Sequence, residues 1–368
     1  MSRPASLFIL LCLCAASPFA SANTPSGKYE SFTLRTLQTP QANIEGWFLP
    51  ASNPRGTLIV LHGYNNSRDW SLNLQWVRDR EDWNVVMIDF RNHGTSQKMG
   101  SPCTLGYYEI DDVQATVDWA EQRNLARPFL IYGRSMGGST GMRFAARDKR
   151  IEGVIAISPF KNAELATRQM ADYALRLVAA DKPGQSKVTG GVKSFVSRLA
   201  NGAVENYLDG HNPLPGQTRN MLKDVDVPSA VAAREDLRIW IMSGENDSFP
   251  PDDQRAILEA SPSPPALKRL VVTPGTNHRS TWAFSGDDVK NIPGHEKFVK
   301  EFLQASLKNP PARAPYSAAN RAEVTPAAAT AAIGAALLIA IAILVIFLRR
   351  SRETPTTTSA HLPPPTQG

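Results

Sequence analysis

The chain has 368 residues, 42% of them apolar and 20% charged, with a formal net charge of +6. That composition can bury a core and excludes a disordered chain, and the length allows one large domain or two ordinary ones. The charge excess sits in the terminal segments. The middle is near neutral and has no stripe of Lys and Arg interleaved with aromatics, which excludes a nucleic-acid surface.

Residues 1–22 read as a secretory signal. Arg3 gives a positive start, the apolar run 7–16 is too short to span a bilayer, and Ala20-Ser21-Ala22 is an A-x-A cleavage site. Cleavage removes Cys12 and Cys14 and leaves Cys103, so no intramolecular disulfide and no cysteine metal cluster is expected. Residues 29–37 and 44–49 are β-like. The run 56–61 is continuously apolar, as in a strand buried on both faces. It ends in the loop His62-Gly63-Tyr64. Residues 70–79 read as a helix and 84–90 as another buried strand, followed by the polar loop Arg91-Asn92-His93-Gly94-Thr95-Ser96. A helix is predicted over 109–123, where Ile110, Val113, Val117 and Ala120 recur at helical spacing; acidic Asp111 and Asp112 suit its N-terminus.

Residues 129–141 are the centre of the chain. The apolar strand 129–132 runs into Gly133-Arg134-Ser135-Met136-Gly137, a G-x-S-x-G pattern, and then into a helix. A strand, a sharp turn bearing serine and a helix form a nucleophile elbow. Further strands are predicted at 151–157, 237–242 and 268–272, with a closing helix at 296–307. Strands alternating with helices predict a mostly parallel sheet covered on both faces. The long stretch 160–236 interrupts that alternation. It carries expected helices at 164–180 and 192–208 and reads as a cap over the sheet edge.

Residues 309–326 are rich in Ala and Pro, a linker composition. Residues 327–348 are apolar and uncharged, giving about 33 Å of helix against a bilayer core of about 30 Å. Arg349 and Arg350 follow, so the positive-inside rule places the tail 349–368 in the cytoplasm. The expectation is a single-pass membrane protein whose folded domain, about 23–308, lies outside the cytosol, or in the periplasm of a bacterium.

A serine hydroxyl is a weak nucleophile and needs a histidine base oriented by a carboxylate. Six histidines compete. His62 and His93 precede the serine in earlier loops. His211 falls in the cap, His295 opens the last helix and His361 lies in the tail. His278 directly follows the last strand, where catalytic groups gather in open α/β sheets, and is the expected base. Glu245 and Asp247 follow the preceding strand. Asp247 is preferred because it lies further into the loop, while Asp252 and Asp253 read as capping a helix after Pro250-Pro251. The backbone amides of Met136 and Tyr64 are the expected oxyanion donors. His62 itself reads as a residue that orders its loop. Trp282 and Phe284 suit either an acyl pocket or ordinary core.

Together, Leu61-His-Gly-Tyr-Asn-Asn-Ser67, Asp89-Phe-Arg-Asn-His-Gly-Thr-Ser96, Tyr132-Gly-Arg-Ser-Met-Gly-Gly138, Ser243-Gly-Glu-Asn-Asp247 and Gly275-Thr-Asn-His278 resemble the α/β-hydrolase superfamily. Its serine-aminopeptidase-like and lysophospholipase-like branch is the most similar. The resemblance covers about 29–307. It implies an eight-stranded, mostly parallel sheet, no cofactor or metal, and Ser135, Asp247 and His278 as catalytic residues. Asn92 stands where many members of the superfamily have glycine. The expected chemistry is hydrolysis of a lipid-derived or small acyl ester through an acyl enzyme. Peptide, amide or thioester cleavage is the second reading, and a tethered binding module without catalysis is the reading of another class.

Overall fold

The computed structural model describes residues 24–100, 103–170, 217–278, 294–308 and 323–325. The expected signal peptide, the middle of the cap, Trp282 and Phe284, the apolar run 327–348 and the tail lie outside them. Among the described residues no helix is long and apolar enough to cross a membrane. The chain divides into two units, Met1–Thr325 and Pro326–Gly368, and all described residues belong to the first.

Nine strands form one sheet: β1 Glu30–Arg35, β2 Asn43–Leu49, β3 Thr57–Leu61, β4 Asn84–Ile88, β5 Phe129–Arg134, β6 Ile151–Ile157, β7 Arg238–Asn246, β8 Lys268–Asn277 and β9 Glu323–Thr325. Their spatial order is β8-β7-β6-β5-β3-β4-β2-β1-β9. From β3 to β8 every pairing is parallel, while β1, β2 and β9 pair antiparallel. Eight of these are the expected strands. The ninth falls within the expected linker: Glu323–Thr325 pairs with Arg35 to Thr33. An edge strand such as β1 presents unpaired amides and carbonyls that any short extended segment can satisfy.

The central strands are buried along their whole length because both faces are covered. On one face Ile59, Leu61, Val86, Ile88 and Ile131 pack with Val113, Val117, Met142 and Phe144, which belong to helices Glu109–Gln122 and Met136–Arg147. On the other, Leu58, Val60, Val85, Met87 and Leu130 meet Phe298, Val299 and Phe302 of helix His295–Lys308. The alternation of β3 and β5 side chains between these two cores is the period-two geometry of a strand. Asp112 does more than complement a helix dipole. It is buried and accepts hydrogen bonds from Arg91 through the backbone N (2.8 Å), Nε (2.9 Å) and Nη2 (2.8 Å), fixing the loop after β4 to the helix.

The expected helix over 70–79 is broken into a 3-10 segment, Arg68–Leu74, and a short helix, Trp76–Glu81, closed by Asp82 at φ +56°. Strands β7 and β8 run several residues past their apolar runs. They do so because they pair with each other beyond the rest of the sheet, from Ser243↔Val272 to Asn246↔Asn277, with a bulge between Gly244 and Asn246. Gly244 is required there, since a Cβ would meet the Thr276 carbonyl oxygen at 2.5 Å.

Candidate active site

The C-terminal ends of the parallel strands collect the polar loops. β5 ends in a turn so tight that Ser135 holds φ +47° and ψ −117° between the strand and helix Met136–Arg147. A side chain rarely adopts that backbone, and its cost is of the order of 1–3 kcal/mol. Two glycines make the turn possible. A Cβ on Gly133 would meet Gly137 O at 2.4 Å, and one on Gly137 would meet Leu61 O at 2.4 Å. The turn is also bonded down, with Ser135 N donating to Ile157 O at 2.7 Å and Ser139 N to Ser135 O at 3.0 Å.

The loop after β3 runs alongside. A Cβ built on Gly63 would lie 3.4 Å from the Ser135 Cβ. The Tyr64 amide therefore follows a residue in contact range of the serine, and the Met136 amide starts the helix, where backbone N–H groups lack intrahelical partners. His62 holds this loop. Phe90 N donates to His62 Nε2 at 3.0 Å, which leaves Nδ1 to carry the proton and donate to Gly63 O at 2.7 Å. Burial, helped by the neighbouring His93, pushes the His62 pKa down to about 3, so the ring is neutral. Asp89, at the end of β4, secures the far end of the same loop. It accepts Arg68 N at 2.6 Å, the Arg68 guanidinium and Thr95 N at 2.8 Å. His93 bonds the Arg91 carbonyl at 2.8 Å, and its pKa is also lowered by burial.

The extended β7–β8 pair sets the expected acid beside the expected base. Asn246 and Asn277 are register partners that end their strands, and the residues that follow them are Asp247 and His278. His278 Nδ1 lies 2.6 Å from Asp247 Oδ1, with both side chains almost wholly shielded from solvent. A carboxylate oxygen accepts, so Nδ1 donates. Glu245 points elsewhere: it is exposed, and its Oε2 accepts Gly275 N at 2.9 Å within the same extension. Asp252 and Asp253 do not cap helix Pro251–Ala260, whose N-cap is Pro250; they lie in its first turn, where Asp253 pairs with Lys161 at 2.7 Å.

Other expected candidates have other surroundings. His295 is buried under the opposite face, 2.9 Å from the Tyr132 hydroxyl, and burial pushes its pKa down to about 4. Cys103 is a free thiol with its Sγ 3.4 Å from Met136 Sδ, and burial raises its pKa well above the ordinary value, so it is a poor nucleophile. His211 and His361 lie outside the described residues. Among the described residues no three His, Cys, Asp or Glu side chains gather as a metal site. An open polar cavity of about 530 Å³, lined in part by Tyr107, Asp111, Asp118 and Arg147, contains none of the residues at the strand ends.

Sequence reasoning passed over three residues here. Phe249 packs edge-on against the His278 ring, with centroids 4.7 Å apart, and its amide donates to Asp247 Oδ1 at 3.0 Å. Gln254 and Ser139 reach the same region, each fully buried. A Phe, a Gln and a Ser at these spacings carry no signature of their own. The proximity of Phe249 to Asp247 in sequence was the available signal.

The profile of the family described as "Serine aminopeptidase, S33" matches residues 52–281. YfhR of Escherichia coli, an uncharacterized protein, is 32% identical over 138 residues, covering 34% of this chain and 46% of its own. Phospholipase YtpA of Bacillus subtilis is 27% identical over 133 residues, covering 35% of this chain and 49% of its own. The chain thus spans about half the length of the curated relatives it matches. Among solved structures, the Pyrococcus furiosus esterase Pf2001 superposes with a TM-score of 0.52 at 19% identity, over 79% of this chain and 96% of that one. That likeness shows a shared fold.

Proposed function

We propose that this chain, which belongs to the serine aminopeptidase family of α/β hydrolases, hydrolyses carboxylic esters through an acyl enzyme on Ser135. The observation that carries the reading is the buried 2.6 Å contact between His278 Nδ1 and Asp247 Oδ1, on the sheet edge that also bears the Ser135 elbow. With Nδ1 donating to Asp247, Nε2 of neutral His278 is the basic nitrogen. It takes the Ser135 proton as Oγ forms a bond to the carbonyl carbon. The Tyr64 and Met136 amides donate to the resulting oxyanion. Removing one such donor typically costs a hundred- to a thousand-fold in rate. The carbon–oxygen bond to the alcohol then breaks, and His278 returns the proton to that leaving oxygen. Water repeats the sequence on the acyl enzyme and releases the carboxylic acid. Neither half requires a cofactor or metal.

Lipid-derived and small acyl esters are the proposed substrates. The phospholipase name of the Bacillus relative supports the former, and the esterase fold neighbour the latter. The family description favours one second reading, cleavage of an amide at a peptide N-terminus. From sequence alone, residues 1–22 act as a signal and residues 327–348 as a membrane tether, with the domain outside the cytosol.

A serine-reactive fluorophosphonate is the test. Wild type should label and Ser135→Ala should not, with activity on p-nitrophenyl esters falling by roughly a thousandfold or more. Folded wild type that does not label would overturn the nucleophile assignment and leave the binding-module reading. Parallel assays with p-nitrophenyl esters of graded chain length and with aminoacyl p-nitroanilides separate ester from peptide cleavage.

A further inference from the structure

Serine and histidine reach the site from different parts of the sheet. Ser135 comes from β5, while Asp247 and His278 come from the β7–β8 extension, with β6 between them. Something must fix one group against the other, since misplacement of about 1 Å in such a site can cost two orders of magnitude in rate. A continuous chain of contacts spans the gap. On the helix that starts at the elbow, Ser139 Oγ donates to Phe160 O at 2.8 Å, and Phe160 N lies 3.0 Å from the same Oγ. The Phe160 ring meets Phe249 edge-on, with centroids 5.6 Å apart at 78°. Phe249 meets the His278 ring edge-on at 4.7 Å and 76°. Its amide donates to Asp247 Oδ1, the oxygen that also faces His278. One further side chain closes the brace. Gln254 Nε2 donates to Pro159 O at 2.9 Å and to Phe249 O at 3.0 Å, joining the loop after β6 to the loop after β7.

We propose that Phe249, clamped by Gln254, is the positioning residue that holds the Asp247–His278 pair in line with Ser135. This rests on the reading of those three residues as a triad. Phe249 acts at two points of one hydrogen bond. Its ring walls the imidazole and limits rotation about the histidine side-chain bonds, and its amide fixes the carboxylate oxygen that accepts the Nδ1–H hydrogen bond. Both Phe249 and Gln254 are buried, so neither offers a surface on which substrate can rest.

The experiment pairs kinetics on p-nitrophenyl butyrate with the low-field proton NMR resonance of His278 Nδ1–H, which reports its short hydrogen bond without turnover. Phe249→Ala should lower kcat at least tenfold with KM within threefold, and broaden or abolish that resonance. Phe249→Leu, which keeps the apolar wall, should recover most of both. Gln254→Met keeps volume but removes the clamp, and should lower kcat at least threefold with a broadened resonance, which provides the test should Phe249→Ala fail to fold. Wild-type kcat and a sharp resonance in folded Phe249→Ala or Gln254→Met would overturn the brace. So would a loss confined to KM, which marks a substrate contact instead. If wild type fails to label with fluorophosphonate, the triad reading falls by itself, and the brace is still judged on whether the variants disturb the resonance.

Discussion

Asn92 holds φ +67° in the loop after β4, a backbone that most side chains avoid. Asparagine tolerates it because its short polar side chain bonds locally, here with Oδ1 accepting Met99 N at 2.7 Å. This explains how Asn stands where many members of the superfamily carry glycine. Asn92→Ala should destabilise the protein by about 1–2 kcal/mol, from the left-handed backbone and the lost bond together. Asn92→Gly should cost clearly less, and urea unfolding of the two variants measures the difference. Ser135 is another such residue, and its strain is tied to the elbow rather than to a local bond. The sequence foretold the elbow because its two glycines are local requirements of a turn. It left Glu245 as an alternative to Asp247, because two carboxylates two residues apart are separated only by where the strand ends.

At the scale of elements, helix Met136–Arg147 carries the Met136 amide at one end and needs support at the other. Arg234 provides it. Its Nη1 donates to Ala145 O at 2.6 Å, Asp148 O at 3.1 Å and Ile151 O at 2.8 Å, so one buried guanidinium caps the helix and ties it to β6. A cation at a helix C-terminus also complements its dipole. Arg234→Met should cost roughly 3 kcal/mol, since several buried carbonyls lose a charged donor at once. Chemical denaturation should show it as a lower midpoint, and an unchanged midpoint would contradict the capping role. Nothing near Arg234 in sequence announces this contact, because its partners lie more than eighty residues away. The β7–β8 extension was hidden for a related reason. Its residues are not apolar, and they are strands only because each supplies the other's hydrogen bonds.

For the whole molecule, the buried histidines couple stability to pH. His62 and His295 have pKa values near 3 and 4 in the folded state, against an ordinary 6.5, chiefly because burial disfavours the charged ring. The unfolded chain therefore binds protons near pH 6.5 that the folded chain refuses. The stability that these two histidines contribute is complete above that pH and is lost as the pH falls toward 4 and then 3. Unfolding free energy measured against pH should fall by more than about 1 kcal/mol per unit through this window. His295→Gln should flatten the slope by about one proton's worth, roughly 1.4 kcal/mol per unit. Identical slopes would refute the assignment. By itself the sequence determined the alternation of strands and helices, the elbow and the order of polar loops along the sheet edge. Those features depend on apolar periodicity, turn glycines and strand ends, all of which are local. Tertiary structure alone decided how far β7 and β8 extend, which tautomer His62 adopts and which distant segments Arg234 and Gln254 join. Each of these is a contact between segments distant in the chain, made by residue types common enough to carry no message until the fold brings them together.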